Sequence, residues 1–175
     1  MIPCRASGFT LIEVLVAALV LAIGIAGVIA AHLGAQRTRH GTALMSGAVQ
    51  LAAGTAERIA ANGRFRDQYA GFDYDSTRDG PPAPSAQACF GTPCSGGQLA
   101  AADLAELRQA LHAGFPGGRI VICRDAAVAQ AGARLAWQCG GGSGAPLAIK
   151  IGWIERGAGV DTLPALVLLA DGGAP

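Results

Sequence analysis

Residues 7–23 read SGFTLIEVLVAALVLAI, and they open an apolar stretch that continues to residue 31 with Glu13 as its single charged side chain. A helix of about 23 residues, rising about 1.5 Å per residue, is long enough to cross a hydrocarbon layer about 30 Å thick. The stretch therefore predicts a membrane-spanning helix at residues 9–31, preceded by a short leader at residues 1–8.

A processing site is predicted directly in front of the apolar stretch. An ordinary secretory signal is cut after its apolar core, whereas the plausible cut here lies before it, between Gly8 and Phe9. Such a cut leaves the span on the mature chain and places the new amine of Phe9 one helical turn from Glu13. Because a membrane acid costs roughly 2.5 to 3.5 kcal/mol on insertion scales, Glu13 is expected to meet that amine or the amine of a neighbouring subunit. The alternative is a carboxylate that reaches the membrane interface near the helix end.

The order of these features resembles the class III signal of type IV pilins and of the pseudopilins of type II secretion. The matching residues, 8–17, read GFTLIEVLVA. The resemblance implies that a prepilin peptidase cleaves after Gly8 and methylates the amine of Phe9. It also implies that Glu13 serves subunit assembly by neutralising the Phe9 amine of an adjacent subunit in a filament.

Composition leaves room for one small globular domain besides the apolar helix, since the chain has 175 residues. Charged residues make up 14% and hydrophobic ones 51%, which suits a membrane-anchored or assembling protein. The formal charge of +1 falls to about zero when Arg5 leaves with the leader, so no nucleic acid partner is expected. The alternative of DNA uptake would use arginines that are otherwise ordinary surface charges: Arg37, Arg39, Arg64 and Arg66.

Cysteine usage indicates an oxidising compartment. Cys4 lies in the leader, and the mature chain keeps Cys89, Cys94, Cys123 and Cys139, an even number that favours two disulfides. Three pairings are possible; the local pairs Cys89–Cys94 and Cys123–Cys139 are favoured because each closes a short loop. A zinc site is the alternative, but the tight paired knuckles of common zinc sites are absent. Oxidised cysteines would place the C-terminal domain outside the cytoplasm and the leader inside.

The helix is predicted to continue beyond residue 31 as an amphipathic segment at residues 32–62. Residues suited to a buried stripe recur there at three- and four-residue spacing: Leu44, Ala48, Leu51, Thr55 and Ile59. Asn62-Gly63 is a turn signal that ends it. One helix of roughly 50 residues results, whose second half needs a packing partner in the domain at residues 63–175.

Residues 64–95 show neither helical nor strand periodicity and predict a long loop, packed on the domain through Tyr69, Phe72 and Tyr74. The alternating Asp73, Asp75 and Asp79 raise the alternative of a calcium site. The glycine and glutamate of a helix–loop–helix calcium site are missing, which favours a solvated loop.

The rest of the chain predicts a helix from Leu99 to His112, followed by three or four strands. The strands are expected at residues 119–124, 134–139, 146–155 and 163–170, and their glycine-rich joints imply antiparallel neighbours. Cys123 and Cys139 would then lie at the ends of adjacent strands. The expected fold is α+β and pilin-like: a long N-terminal helix, half transmembrane and half packed on an antiparallel sheet of three to four strands.

Segments spread along the chain resemble the PilV minor pilins, also called type IV pilus modification proteins. They are residues 13–17, 23–24, 56–62, 103–105, 108–111, 116–118, 121, 123–125 and 149–153. The resemblance implies a low-abundance subunit of a pilus tip complex that supports pilus assembly, twitching motility and adhesion. The implied partners are other minor pilins, the major pilin, the prepilin peptidase, the inner membrane and its pilus assembly platform. The implied location is the inner membrane, crossed once with the domain in the periplasm, and later the pilus fibre or tip.

Two other functions compete with a minor pilin. A minor pseudopilin of a type II secretion system has a nearly identical N-terminus. A membrane-anchored enzyme is not expected, because His32, His40 and His112 are far apart in the predicted layout and no serine or cysteine is paired with a base. No catalytic, cofactor-binding or metal-binding residue is predicted.

Overall fold

The computed structural model describes residues 10–83, 89, 91, 93–129, 135–142, 144–155 and 163–170. The chain forms two compact units, Met1–Thr42 and Ala43–Pro175. The described helices are α1 (Leu11–Ala61), α2 (Ser76–Asp79) and α3 (Gly96–Gly114), with short 3₁₀ helices at Gly63–Gln68 and Ala127–Ala129. The described strands are β1 (Phe72–Asp75), β2 (Arg119–Arg124), β3 (Leu147–Gly152) and β4 (Leu166–Leu169).

Helix α1 has 51 residues, which confirms the prediction of one long helix ending at Asn62-Gly63. Its first part contains an 18-residue window with a mean hydropathy of 2.9, none of which is buried. By length and composition this is a helix that could cross a membrane. The helix remains regular through Gly24 and Gly27, although each glycine weakens a helix by about 1 kcal/mol relative to alanine.

The four strands form one antiparallel sheet in the order β1-β2-β3-β4, so that strands consecutive in the chain are neighbours in the sheet. The register pairs Ile120 of β2 with Tyr74 of β1 on one side and with Ile151 of β3 on the other. This arrangement confirms the α+β, pilin-like fold class. Strand β2 has the predicted bounds, whereas β3 and β4 are shorter than the predicted strands at 146–155 and 163–170.

One hydrophobic core lies between the sheet and the helices of the second unit. The second part of α1 contributes Ala48, Ala52 and Ile59, all fully buried, of which Ala48 and Ile59 belong to the predicted stripe. Further core side chains come from α3, from the sheet and from the residues that directly follow them, among them Leu107, Leu111, Phe115, Ile120, Ile122, Leu147, Ile149, Ile151 and Trp153. Thr55 is buried on the same stripe, and its hydroxyl donates to the Leu51 carbonyl at 2.7 Å.

Helix α3 begins three residues before the predicted Leu99 because a capping box stabilises its first turn. The Ser95 hydroxyl accepts from the Gln98 backbone amide, and the Gln98 side chain accepts in return from the Ser95 amide. Gly96 is required in that turn for steric reasons: a Cβ there would lie 2.2 Å from the Phe65 ring. The helix begins with Gly96 and Gly97, and because glycine is a poor helix former, the sequence pattern did not predict this start.

The prediction of a loop at residues 64–95 is wrong for three parts of this segment. Phe72–Asp75 forms strand β1, and the neighbouring residues form the 3₁₀ helix at Gly63–Gln68 and helix α2. Phe72 and Tyr74 face the core while Asp73 and Asp75 point outward, and four residues are too few for this alternation to stand out in the sequence. The predicted burial of the aromatics is confirmed, since Tyr69, Phe72 and Tyr74 are all buried. Part of the predicted loop, residues 84–88, 90 and 92, lies outside the described residues.

The predicted strand at residues 134–139 is also wrong. Residues 135–140 are irregular, and residue 134 lies outside the described part of the chain. The backbone carbonyls of Ala136 and Gln138 accept hydrogen bonds from the Lys150 side chain, so these groups are satisfied without a strand partner. Cys139 therefore lies on an irregular segment, not at the end of a strand next to β2.

Candidate processing and assembly segment

The candidate site is the beginning of α1. The predicted cleavage residues, Gly8 and Phe9, lie outside the described residues. The predicted methylation of Phe9 therefore lies outside them as well. Helical hydrogen bonds begin at Thr10, whose carbonyl accepts from the amides of Glu13 at 3.1 Å and Val14 at 3.4 Å. The predicted cut thus falls two residues before the first turn of a regular helix.

Glu13 lies in the first turn of α1, and its residue is exposed in the single chain. The start of a helix carries a partial positive charge, because its first amides lack an acceptor one turn earlier in the helix. A carboxylate near them is stabilised by about 0.3 to 1 kcal/mol. This is less than the cost of an acid within a membrane, so an immersed Glu13 needs either a partner of opposite charge or a side chain that reaches the membrane interface.

Apolar side chains surround this part of α1 and remain exposed in the single chain. Leu11 is 80% exposed, and Ile12 and Val28 are each 70% exposed. An added Cβ at Gly24 or Gly27 would meet no atom within 4 Å. An apolar surface of this extent is covered by lipid or by other proteins in a stable arrangement. The segment can therefore bind a membrane or the helices of other subunits.

A hydrogen-bond network fixes the end of α1 to α3 within the second unit. Asn62 Nδ2 donates to the Gly96 carbonyl at 2.7 Å and to the Tyr69 hydroxyl at 3.3 Å. The Tyr69 hydroxyl donates to Asp103 Oδ2 at 2.6 Å, and Arg58 Nη1 donates to Asp103 Oδ1 at 2.8 Å. Sequence reasoning missed this network, although the buried Asn62 follows directly after the last helical residue.

Ionisation of Tyr69 in this network is expected to destabilise the folded chain at alkaline pH. Burial, and after it the hydrogen bond to Asp103, raises the pKa of Tyr69 to about 12. Because the folded pKa lies above the unfolded value near 10, this stabilisation is complete below about pH 10 and is lost as the pH rises through about 12. Two pKa units correspond to about 3 kcal/mol. Between about pH 10 and pH 12, we therefore expect the unfolding free energy of the parent chain to fall by about 3 kcal/mol more than that of Tyr69→Phe.

Chemical unfolding of the detergent-solubilised chain at successive pH values measures the difference between the two proteins. Tyr74, whose pKa is also raised by burial, is present in both and cancels in the comparison. Equal alkaline slopes for the parent and Tyr69→Phe would show that Tyr69 does not ionise late in the folded chain.

The four cysteines of the second unit lie in two pairs at disulfide geometry. Cys89 pairs with Cys94 across a Cα–Cα distance of 5.7 Å, and Cys123 pairs with Cys139 across 6.2 Å. These are the pairs that short loop closure favours, and both distances lie in the usual disulfide range. Among the described residues, no group of three or more His, Cys, Asp or Glu side chains is arranged to hold a metal ion.

The aspartates of the calcium alternative are engaged by the protein itself. Asp73 accepts from Arg119 and Arg78, and the Asp75 carboxylate caps α2 by accepting from the Thr77 and Arg78 amides. The Arg78 side chain, by its hydrogen bond, lowers the pKa of Asp79 to about 2. These contacts use the three carboxylates as hydrogen-bond acceptors for α2 and for the edge of the sheet.

The histidines have unrelated local contacts. His32 lies 3.2 Å from the Gln36 side chain on α1, whereas His112 Nδ1 lies 3.0 Å from the Tyr74 hydroxyl in the second unit. The Tyr74 hydroxyl donates to the Gly80 carbonyl, so His112 Nδ1 is the donor to Tyr74. His32 and His112 are thus each engaged in a polar contact with their own surroundings.

Comparison with known proteins bears on the beginning of the chain. A family model described as the prokaryotic N-terminal methylation motif matches residues 4–29, which include Gly8, Phe9 and Glu13. No curated protein and no solved structure matches the chain significantly. The motif suggests a structural role and fits membrane anchoring through the apolar helix. Together with the long helix and the antiparallel sheet, it supports a type IV pilin-like or pseudopilin-like protein.

Proposed function

We propose that this chain is a minor pilin of the PilV type, which helps to initiate a type IV pilus as part of its tip complex. The observation that carries the proposal is the methylation motif at residues 4–29, placed at the start of an exposed apolar helix on a chain with a small α+β domain. Its partners would be the major pilin, other minor pilins, the prepilin peptidase and the inner-membrane assembly platform. Pilus assembly, twitching motility and adhesion would depend on it.

The proposed precursor has four parts. Residues 1–8 are a cytoplasmic leader, residues 9–31 cross the inner membrane, residues 32–62 continue the helix, and residues 63–175 form a periplasmic domain. This orientation is supported by the two cysteine pairs at disulfide geometry, because disulfides persist in the periplasm and not in the cytoplasm. The prepilin peptidase cuts after Gly8 and methylates Phe9.

Assembly then exchanges lipid for protein around the apolar helix. The exposed apolar side chains of residues 11–31 leave the membrane and are covered by the helices of other subunits. Glu13 is carried out of the lipid with them and pairs with the amine of Phe9 on an adjacent subunit. The pairing removes the cost of an isolated membrane acid and aligns the new subunit along the filament axis.

Deletion of the gene, followed by complementation, tests the proposal. We expect the deletion strain to lose surface pili and twitching by about tenfold or more, because an initiating subunit acts before every filament, and to keep its type II secretion. The parent gene should restore both losses, and so should a gene that encodes Gly41→Ala, a glycine on α1 with no atom within 4 Å of an added Cβ.

The second candidate, a minor pseudopilin, is supported by the same N-terminal motif and predicts the opposite result. In that case the deletion strain keeps its pili and loses secretion of exported proteins. Normal pili, twitching and secretion in the deletion strain would contradict both functions.

A further inference from the structure

Strand β3 is covered on both faces of the sheet, although the helices pack on only one of them. Strand β3 is buried along its whole length, including Ala148, Lys150 and Gly152, which alternate with the core residues Ile149 and Ile151. Residues 135–142, here called the cover segment, lie on this second face. A Cβ added to Gly152 would lie 2.9 Å from the Trp137 ring, so the aromatic side chain of the cover segment rests directly on the β3 backbone.

A buried ion pair lies beneath the cover segment. Lys150 Nζ is 2.5 Å from Asp125 Oδ2, and the two side chains are 1% and 2% exposed. Lys150 Nζ also donates to the carbonyls of Ala136 at 2.8 Å and Gln138 at 2.6 Å. All three ammonium protons therefore have an acceptor, as a buried charge requires.

The Asp125 carboxylate completes the attachment from the other side. Its Oδ1 accepts from the Gly140 amide at 3.1 Å and from the Ala127 amide at 2.9 Å. Burial alone would raise the pKa of Asp125, but the hydrogen bonds from Lys150 and from these two amides outweigh it and lower the pKa. The carboxylate thus stays ionised and binds the cover segment at Gly140, which follows Cys139. Ala136 and Gln138, which Lys150 binds, precede Cys139.

The ion pair and the disulfide hold the same segment in different ways. The Cys123–Cys139 bond joins β2 to one residue of the cover segment. The Lys150 and Asp125 side chains bind Ala136, Gln138 and Gly140, which lie on both sides of Cys139. We propose that the Lys150–Asp125 pair is a clasp that holds the cover segment on the sheet independently of the disulfide and places Cys139 beside Cys123 before that bond forms.

Amide hydrogen exchange on the full chain, purified in detergent, tests the clasp. The reporters are the amides of Gly140, bonded to Asp125, and Gly141, bonded to the Arg124 carbonyl at 3.1 Å; the Gly71 amide, bonded to Ile122, reports on the sheet. In Cys123→Ser/Cys139→Ser we expect the Gly140 and Gly141 amides to exchange within about threefold of the parent rate. Loss of their protection, whether the Gly71 amide stays protected or the whole chain unfolds, would overturn the proposal.

The complementary variant removes the clasp and keeps the cysteines. Asp125→Asn/Lys150→Met leaves an oxygen acceptor for the two backbone amides and no unpaired buried charge, so the sheet is expected to fold. We expect the Gly140 and Gly141 amides to exchange at least about tenfold faster despite an intact disulfide. The matched control, Arg78→Met/Asp79→Asn, removes an exposed ion pair and should leave these amides unchanged. Unchanged exchange in the clasp variant would overturn the proposal.

Oxidative refolding tests the order of events. When the reduced parent chain is oxidised, peptide mapping should find Cys139 joined to Cys123, and the same clasp variant should show at least about a threefold larger share of Cys139 joined to Cys89 or Cys94. An equal share of native pairing in both proteins would contradict the proposed placement of Cys139.

Discussion

Replacing Gly8 by valine is expected to leave the chain as an uncut, unmethylated precursor in the inner membrane. Glycine lacks a Cβ and allows close approach of its backbone to a binding surface. A branched side chain at the cleavage residue would occupy that space, and one misfitting group in a binding pocket slows a reaction by about 10- to 200-fold. The ratio of precursor to mature chain, read from N-terminal peptides by mass spectrometry, measures the effect.

The matched control for Gly8→Val is Gly34→Ala, on α1 beyond the motif, where an added Cβ meets no atom within 4 Å. This variant should be processed like the parent. If Gly8→Val instead yields mature chain that starts at Phe9 in normal amount, the cleavage site has been assigned to the wrong residue.

Replacing Glu13 by lysine is expected to leave cleavage intact and to reduce incorporation into filaments. The lysine would bring a second positive charge to the Phe9 amine, and neither charge would have a partner within the apolar layer. An unpaired charge at this depth costs roughly 2.5 to 3.5 kcal/mol, which corresponds to about a 70- to 400-fold loss at equilibrium. Quantitative immunoblots of sheared filaments and of membranes, compared for the parent and the variant, measure the distribution.

Two further variants separate charge from general disruption of α1. Glu13→Gln removes the charge but keeps the size of the side chain, so its incorporation should fall between those of the parent and Glu13→Lys. Glu57→Lys makes the same charge reversal at an exposed position of α1 in the second unit and should be incorporated normally. Equal incorporation of Glu13→Lys and Glu57→Lys would remove Glu13 from the assembly mechanism.

The features that the sequence predicted well are those set by local patterning. A long run of apolar residues, followed by apolar residues at helical spacing, predicted a helix close to the 51 residues of α1, and Asn62-Gly63 predicted where it ends. Strand β2 was predicted with correct bounds because four consecutive apolar or cysteine residues lie between two arginines. These signals act within one turn or one strand and need no knowledge of distant partners.

The features that the sequence did not predict depend on distant partners. Lys150 and Asp125 are 25 residues apart, and Asn62 and Gly96 are 34 residues apart. Neither spacing repeats along a helix or strand, so no pattern could reveal these contacts. The segment at 134–139 was predicted as a strand, but a buried lysine supplied the donors that a strand partner would have supplied to its carbonyls.

The candidate site was predicted from a motif, not from geometry. Gly8, Phe9 and Glu13 belong to a short motif that a family model matches at residues 4–29, so the motif can be found without a fold. The folded chain adds the helix start at Thr10 and the exposed apolar surface that follows Glu13. The pairing that we propose between Glu13 and an amine involves two subunits, so a single chain cannot display it.

We propose that this chain matures at Phe9 and enters filaments through its new amino terminus. Mass spectrometry of the N-terminal peptide, from protein recovered in sheared and washed filaments, measures both steps in one sample. We expect a peptide that begins at Phe9 and carries one methyl group on its amine. A chain recovered in those filaments with Met1 still at its start, or a mature chain found only outside filaments, would contradict it.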